Sequence, residues 1–491
     1  MKKYLLLFLM LSILTNCMNP EGRSWIIPLT IDDTLLDYTP EQLESFHKRR
    51  SALLDKMKPG FLILKSTDQR SRNRHEFRCN NYFYYLTGYT SYGSYVILAK
   101  QDAGQFLLSK PFTNIRMEIY DGGQPSAGEI LDLYHPDSVL SSHEMRMMLG
   151  DIVNSGSPVY VDFKNRELMD DLNKLTEGHS KPEFLNAALI LDEMRVIKDP
   201  LEVARLQKAG NITARALTNV MNRCEPGKHE YEMEAVIEGT FLEYGSAMPG
   251  FPSIVGSGPN STTLHYEPNT RLMEDGDLLL MDIGADYGYY TADITRTIPV
   301  NGKFTTEQRT IYQLVLDAQK ASIEQLKPGM GIRDGHLAGR KAMNEGLAQL
   351  GLISDPESEW QVEFYCIHGT SHYLGMDVHD VGDYEINPRL SDEDSTGKYR
   401  SGRILEPGMV LTIEPGIYIR ENGLEQAFDM FANEADSSEI AAFIESVSLI
   451  YEQYENIGVR IEDDILITKD ANLVLSRYAP KEPDDIEQLM R

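Results

Sequence analysis

Apolar residues fall along the chain in two rhythms, and the change between them near residue 197 divides the sequence. Upstream, short apolar or aromatic runs bounded by Gly, Pro or Asp predict strands: PGFLILK, YFYYLTG, YVILAK, QFLLSK and PVYVDF. Helical stretches alternate with them, so residues 41–196 read as a mixed α/β domain with the aromatic run Tyr82 to Tyr85 in its sheet core. At EMRVIKDPLEVARL, Asp199 and Pro200 supply an N-cap and a first-turn proline, opening a second domain over 197–480. There LEVARLQKAGNITARALTNVMNRC has helical period, CEPGKHE breaks it, and another helix runs from Glu230 to about Tyr244. The plan recurs as TTEQRTIYQLVLDAQKASIEQL, KPGMGIRD and HLAGRKAMNEGLAQLG, and each helix pair precedes strand-like segments. Such a recurrence predicts an internal duplication.

The strand segments carry the same repeat. LMEDGDLLLMDIG (272–284) lies over LEPGMVLTIEPG (405–416) with Gly276 on Gly408 and Gly284 on Gly416, which places Asp282 on Glu414. An unpaired carboxylate at the end of a buried apolar strand is costly. Two of them at equivalent places predict one shared, charged centre. In MDIGADYGYYTADITRT, a two-residue turn at Tyr287-Gly288 would set Asp282 directly opposite Asp293. Opposed side chains on one face have Cβ atoms about 4.5–5.5 Å apart, and two carboxylates that close repel unless a cation or proton lies between them. In NIGVRIEDDILIT, alternation puts Arg460, Glu462 and Asp464 on one face and Ile461 and Asp463 on the other.

One short stretch, HGTSHYLGMDVHDVG, holds His368, His372 and His379, three of the eleven histidines. One imidazole joined to Asp282, Asp293, Glu414 and Glu462 makes an oxygen-rich set that suits a pair of ions such as Mn, Co or Fe better than a structural zinc.

Composition narrows the field. With 42% hydrophobic and 25% charged residues, the chain has ordinary globular material and ample core. Its formal net charge of −28 speaks against a nucleic-acid partner, which needs a positive field. The one basic cluster, Arg70, Arg72, Arg74 and Arg78, reads as a solvated loop. VGSGPN has a lone GxG and lacks the setting of a nucleotide site.

Lys2 and Lys3 precede YLLLFLMLSILTN and then Cys17, the pattern of an export signal too short to span a bilayer comfortably. Leu14-Thr15-Asn16-Cys17 resembles a bacterial lipoprotein box, although Asn16 departs from the small residue expected there. Residues 1–17 are thus expected to direct export, with lipid attachment to a membrane at Cys17, and 18–40 to form a linker; simple secretion or an uncleaved anchor are the other readings. Cys79, Cys224 and Cys366 show no CxxC spacing and read as buried structural thiols.

Together LHY, MDIGADYGYYTADITRT, HGTSHYLGMDVHDVG, TIEPGIYI and GVRIEDD resemble the motifs of the Xaa-Pro aminopeptidases (aminopeptidase P), in the right order and within a resemblance running from about Arg49 to the C-terminus. The resemblance implies a pseudo-twofold pita-bread metallohydrolase domain of α/β (α+β) class behind a smaller N-terminal domain. It implies two divalent metals, Mn²⁺ first among them. Asp282 would bind one metal, His372 and Glu414 the other, and Asp293 and Glu462 both. Glu414 would also be the general base. His368 and His379 would bond substrate or the developing oxyanion, and His265 would line the proline pocket with Arg460 nearby. The substrate implied is a peptide with proline second, and the family's habit of assembly implies a homo-oligomer.

Alternatives stay open on the sequence. A Xaa-Pro dipeptidase shares the fold and ligands, and a metal-free relative could serve as a binding module. Methionine aminopeptidase fits less well because of the long N-terminal domain. Between Glu414 and Glu462 lie residues that the shortest family members lack. Of these, Ser438 to Tyr454 predict an amphipathic helix through Ile440, Phe443, Ile444, Val447 and Ile450.

Overall fold

The computed structural model describes residues 39–67, 77–100, 104–177, 181–382 and 403–491. The export signal, Cys17, most of the expected linker and Arg70, Arg72 and Arg74 lie outside the described residues. Contacts divide the chain into two compact units: residues 39–204 with Gly375–Gly382, and Arg205–Leu374 with 403–491.

The first unit is built on a six-stranded mixed sheet in the order Ser138–Leu140, Gln105–Ser109, Tyr95–Lys100, Gly60–Lys65, Val159–Val161, Phe184–Asn186. Gly60–Lys65 and Gln105–Ser109 pair antiparallel with Tyr95–Lys100 between them, and the outer pairings are parallel. Helices Ser142–Asn154 and Arg166–Leu175 lay Met145, Leu149, Ile152, Leu168 and Leu172 against Ile63, Ile97, Val159 and Val161 of the sheet. Each such side chain contributes about 1.5–3 kcal/mol on burial.

One expectation fails here, and two strands went unnoticed in the sequence. YFYYLTG is a helix, Asn81–Thr87, where a strand was expected. The Asn80 side chain caps its start by accepting from Phe83 N at 3.1 Å, and Gly88 ends it in the left-handed region at φ 67°. Tyr82 to Thr87 are all buried, so no polar face betrays a 3.6-residue period. The edge strands Ser138–Leu140 and Phe184–Asn186 were missed because three residues are too few to show alternation.

The second unit follows the predicted repeat. Helices Pro200–Met221 and Glu230–Glu243 precede Ile254–Ser257, Leu278–Ile283 and Ile294–Pro299, which form one antiparallel sheet with Leu278–Ile283 central. Asp199 Oδ1 accepts from Leu201 N and Glu202 N at 2.9 and 3.0 Å, capping the first helix. Helices Thr306–Gln325 and Ile332–Leu350 then precede the strand pair Val410–Ile413 and Asp463–Ile467, extended by Gly416–Ile419 against Ile457–Arg460. In the long connection lie helices Gly423–Met430 and Ser437–Tyr451. Phe443 of the latter meets Trp360 and Phe364 edge-on at centroid distances of 5.0 and 5.5 Å, so this segment packs on an aromatic cluster beside helix Glu359–Glu363.

Candidate metal centre

In the first hairpin of the second unit, strands Leu278–Ile283 and Ile294–Pro299 pair Asp282 with Thr295 and Ile283 with Ile294. The same register continues as Asp286 with Thr291 and Tyr287 with Tyr290, leaving Gly288 and Tyr289 as the turn. Both turn residues have positive φ, 58° and 73°, as a type I′ turn requires. The expected turn at Tyr287-Gly288 is therefore one residue early, and Asp282 does not lie directly opposite Asp293. The two acids are diagonal neighbours on one face, because Asp293 sits two residues before the partner of Asp282.

Direct opposition occurs in the second half. Ile413 pairs with Asp463 and Gly416 with Arg460, and this common register sets Glu414 against Glu462. Thr412 N donates to His372 O at 2.9 Å and Glu414 N to Thr370 O at 3.0 Å, so the histidine segment runs alongside this strand. Glu462 N donates to Thr295 O at 3.1 Å and Thr295 Oγ1 to Glu462 Oε2 at 2.6 Å, which joins the second half to the first.

The result is a buried acidic cluster around one imidazole. Ligand atoms of Asp293, His372 and Glu462 all lie within 4.8 Å of one another. His372 Nε2 is 3.3 Å from Asp293 Oδ2 and 3.6 Å from Glu414 Oε1. Its Nδ1 is 3.0 Å from the Tyr373 carbonyl, which can only accept, so Nδ1 carries the proton and the Nε2 lone pair faces the acids. Asp282 Oδ2 takes Arg460 Nη2 at 2.7 Å. Burial raises Asp293 well above the usual carboxylate range, with Glu462 and Asp282 next in effect. Burial and Glu462 raise Glu414, and burial and Asp282 push Glu462 up to about 8. Without a cation this arrangement must hold protons.

Two further observations test whether divalent ions fit. Asp282 Oδ1 and Asp293 Oδ1 are buried with no hydrogen-bond partner, as expected of lone pairs meant for a cation. The donor set of four carboxylates and one imidazole is also of the kind that hard or borderline divalent ions take.

The other predicted residues are placed as follows. His368 sits beside the cluster: its Nδ1 is 2.7 Å from Gly369 O and 3.5 Å from Glu414 Oε2, and its Nε2 is 2.8 Å from Tyr418 Oη. Burial and then Arg460 push it down to about 4, so it is neutral. Arg460 is engaged from several sides, by Asp282, by Tyr418 Oη at 2.9 Å and by Thr295 Oγ1 at 3.1 Å. His265 is exposed in the same unit, one residue after Leu264. His379 belongs to the other compact unit, where it is exposed. Cys366 is buried, and burial pushes its thiol up to about 12, which suits a structural thiol.

Sequence reasoning passed over two residues. Tyr418, in TIEPGIYI, bonds both His368 and Arg460, yet reads as an ordinary strand aromatic. Arg296, in DITRT, is fully buried and donates to Asp463 Oδ1 at 2.7 Å and to the Glu462 carbonyl at 2.6 Å. An arginine between Ile294 and Ile298 in a strand-like stretch was the available signal, since a buried charge there needs a partner.

Residues 204–469 match the family model for metallopeptidase family M24, and residues 46–160 match that for the aminopeptidase P N-terminal domain. The chain belongs to metallopeptidase family M24, in its aminopeptidase P branch. The family implies divalent-metal binding, in keeping with the cluster just described. The chain is 36% identical over 471 residues to the Xaa-Pro aminopeptidase of Escherichia coli K12, covering 91% of this chain and 97% of that one. It is 32% identical over 426 residues to Xaa-Pro aminopeptidase 3 of Rattus norvegicus, covering 84% and 76%. Among solved structures, proline aminopeptidase P II of Yersinia pestis superposes with a TM-score of 0.79 at 34% identity, over 91% of this chain and 99% of that one. A variant of Escherichia coli aminopeptidase P in complex with substrate reaches 0.78 at 33% identity, over 91% and 98%. The architecture is therefore the pita-bread fold expected from the motifs.

Proposed function

We propose that this chain is a metal-dependent Xaa-Pro aminopeptidase, removing the N-terminal residue from peptides with proline in second position. The observation that carries the reading is the buried group Asp293, His372 and Glu462, closed by Asp282 and Glu414, in a chain with aminopeptidase P relatives along most of its length. Asp282, Asp293, His372, Glu414 and Glu462 would hold two divalent ions, Mn²⁺ first among them because the donors are oxygen-rich. When bound, such a pair stabilises charge at the scissile carbonyl and lets water lose a proton near neutral pH.

The chain's own residues supply the rest. Glu414 takes the proton of the attacking water on its carboxylate and passes it to the departing proline nitrogen. A peptide bond to proline has no N–H, so that nitrogen needs a proton as the bond breaks. His368 is neutral and lies between Tyr418 and Glu414, where it bonds substrate. Arg460 keeps Asp282 oriented and polarises Tyr418. Leu264, Tyr266 and Ile367 pack beside Tyr418 as partly buried apolar surface, next to His265, and this patch suits a proline ring. His379 is assigned a substrate contact by its motif.

By the same reading the chain is exported and anchored through a lipid at Cys17, which becomes its first residue once the 16 before it are removed, and it self-associates. Globomycin-sensitive processing and loss of membrane attachment in Cys17→Ser would support the anchor; unchanged fractionation would sink it.

The test of function uses Mn²⁺-loaded protein with Gly-Pro and with a longer Xaa-Pro-Xaa peptide, with and without chelator. Chelator-sensitive release of the first residue from the longer peptide is expected. Cleavage of the dipeptide alone would mean a dipeptidase, and cleavage of neither would overturn the peptidase reading.

A further inference from the structure

Glu230, the first residue of helix Glu230–Glu243, is fully buried, and its partners are the two ends of one loop. Its Oε1 accepts from Ser257 N at 2.6 Å, Ser257 Oγ at 2.8 Å and Asn260 Nδ2 at 3.1 Å, where strand Ile254–Ser257 passes into a short turn. Its Oε2 accepts from Arg271 N at 2.8 Å, where the chain returns. Glu230 N donates to Arg271 O at 3.1 Å, and Arg271 Nη1 to Ser257 Oγ at 3.0 Å. One carboxylate thus closes the neck of a loop over residues 257–271. Every group it meets there is a donor, which suits an acceptor with no N–H of its own.

The middle of this loop reaches the metal centre's own surroundings. Leu264 and Tyr266 pack with Ile367 against Ile254, Leu280 and Tyr418. Leu264 O accepts from Arg460 Nη2 at 3.5 Å, the same nitrogen that holds Asp282 Oδ2 at 2.7 Å. Burial, with Glu230 in hydrogen-bond reach, raises the Tyr266 hydroxyl above its ordinary range. Residues 263–270 form no helix or strand, so ties at the ends set their path. On the outgoing side Gly458 N donates to Ser261 Oγ at 3.0 Å. A Cβ at Gly458 would stand 2.1 Å from Ser261 O, so the turn lies directly on strand Ile457–Arg460. On the returning side Asn269 Nδ2 donates to Ser253 O at 2.9 Å, and its Oδ1 accepts from Val255 N at 3.0 Å.

A recognition surface carried on irregular backbone depends on the groups that support it, because a looseness of about 1 Å is enough to spoil a site. We infer that Glu230 is a positioning residue: by closing the neck of the 257–271 loop it fits the Leu264 and Tyr266 patch to a proline ring, and so sets selectivity for proline after the scissile bond. The inference rests on the peptidase reading for what the patch receives. It assigns Glu230 no contact with substrate or metal. A carboxylate that served the fold alone would, when lost, weaken the cleavage of every substrate alike.

The experiment measures kcat and KM of the metal-loaded full chain and of Glu230→Gln on an Xaa-Pro-Xaa peptide and its Xaa-Ala-Xaa counterpart. Glutamine keeps the size but turns an amide donor toward the donors of Ser257 and Asn260 or of Arg271, which loosens the neck. The proline-to-alanine ratio of kcat/KM is expected to fall by about tenfold, within the range that fit in an apolar pocket commands. The loss on the proline peptide should lie mainly in KM, with metal content that of the parent. Where the alanine peptide is cut too slowly to score, inhibition by the Pro-Xaa and Ala-Xaa dipeptides gives the same ratio. Equal losses on both peptides, or loss of metal, would overturn the inference in favour of a merely structural role. Should Glu230→Gln fail to fold, Asn260→Ala removes one bond from the half-buried side of the neck. It should lower the ratio by about threefold, one hydrogen bond's share, and an unchanged ratio would contradict the inference. A parent that cleaves neither peptide ends the peptidase reading and the selectivity claim with it. A proline-selective parent whose Glu230→Gln variant keeps the ratio ends this inference alone.

Discussion

The two hairpins that supply the acids hold equivalent places in a recurring helix and strand plan, yet they set their carboxylates differently. In the first, Asp282 faces Thr295 and Asp293 lies diagonal to it, and Arg460 balances Asp282 at 2.7 Å. In the second, the register sets Glu414 directly against Glu462, and both are pushed upward by burial and by neighbouring acids. The difference shows where the site stores its electrostatic tension. In the first half Arg460 balances Asp282, while Asp293, like both acids of the second half, is raised by burial and neighbouring acids and holds a proton until a cation arrives.

The largest effect should come from breaking the opposed pair. Glu462→Gln keeps the shape but removes a charge from the buried ligand group, and peptidase activity should fall by about a thousandfold or more, since metal assistance is worth several kcal/mol. Metal content measured on the desalted protein should fall with it. An active variant with full metal content would break the claim that the second half holds the ions.

Next in size is the clamp across the halves. Arg296 rises from the strand that follows Asp293 and pairs with Asp463, the neighbour of Glu462; Asp463 stays ionised at about 2 despite its burial because of Arg296 and Lys481. Arg296→Met leaves that carboxylate short of a buried partner and should cost about 3–5 kcal/mol. Thermal unfolding would show this as a Tm lower by many degrees.

A pH series sharpens the contrast further. Glu462 ionises near 4.5 when unfolded, but the folded, metal-free protein keeps its proton until about pH 8. The folded state therefore binds more protons within that window, and stability falls as pH rises through it. The Tm of metal-stripped protein should drop between pH 5 and 8, and Mn²⁺ should reverse the trend. A Tm that rises over this range without metal would contradict the assignment.

The smallest effect belongs to the turn that sets the first register. Gly288→Ala places a side chain at φ 58° and should cost about 1 kcal/mol, a Tm change of a few degrees, with a moderate loss of activity as Asp293 shifts.

Much of this was legible in the chain. Asp282 and Glu414, acids at the ends of apolar strands and at equivalent places between aligned glycines, betray a shared centre because nothing in a buried sheet needs them. The helices showed their 3.6-residue period plainly. What escaped has physical reasons. Gly-Tyr is an unusual type I′ turn, so the register of the first hairpin read two positions short, although a shift of two keeps the same face and the acids still met. Asn81–Thr87 is buried all round and carries strand-favouring aromatics, so only its Asn80 cap and Gly88 stop could have revealed it. Tyr418 and Arg296 act through partners distant in sequence, and a pattern along one chain does not show those partners.

The most direct test of the central claim is equilibrium dialysis of the metal-stripped full chain against Mn²⁺ at neutral pH, counting ions per chain. Two bound ions in the parent, with fewer in Glu462→Gln, would agree with one centre built by both halves. A parent that binds none, or a Glu462→Gln variant that binds as many as the parent, would contradict it.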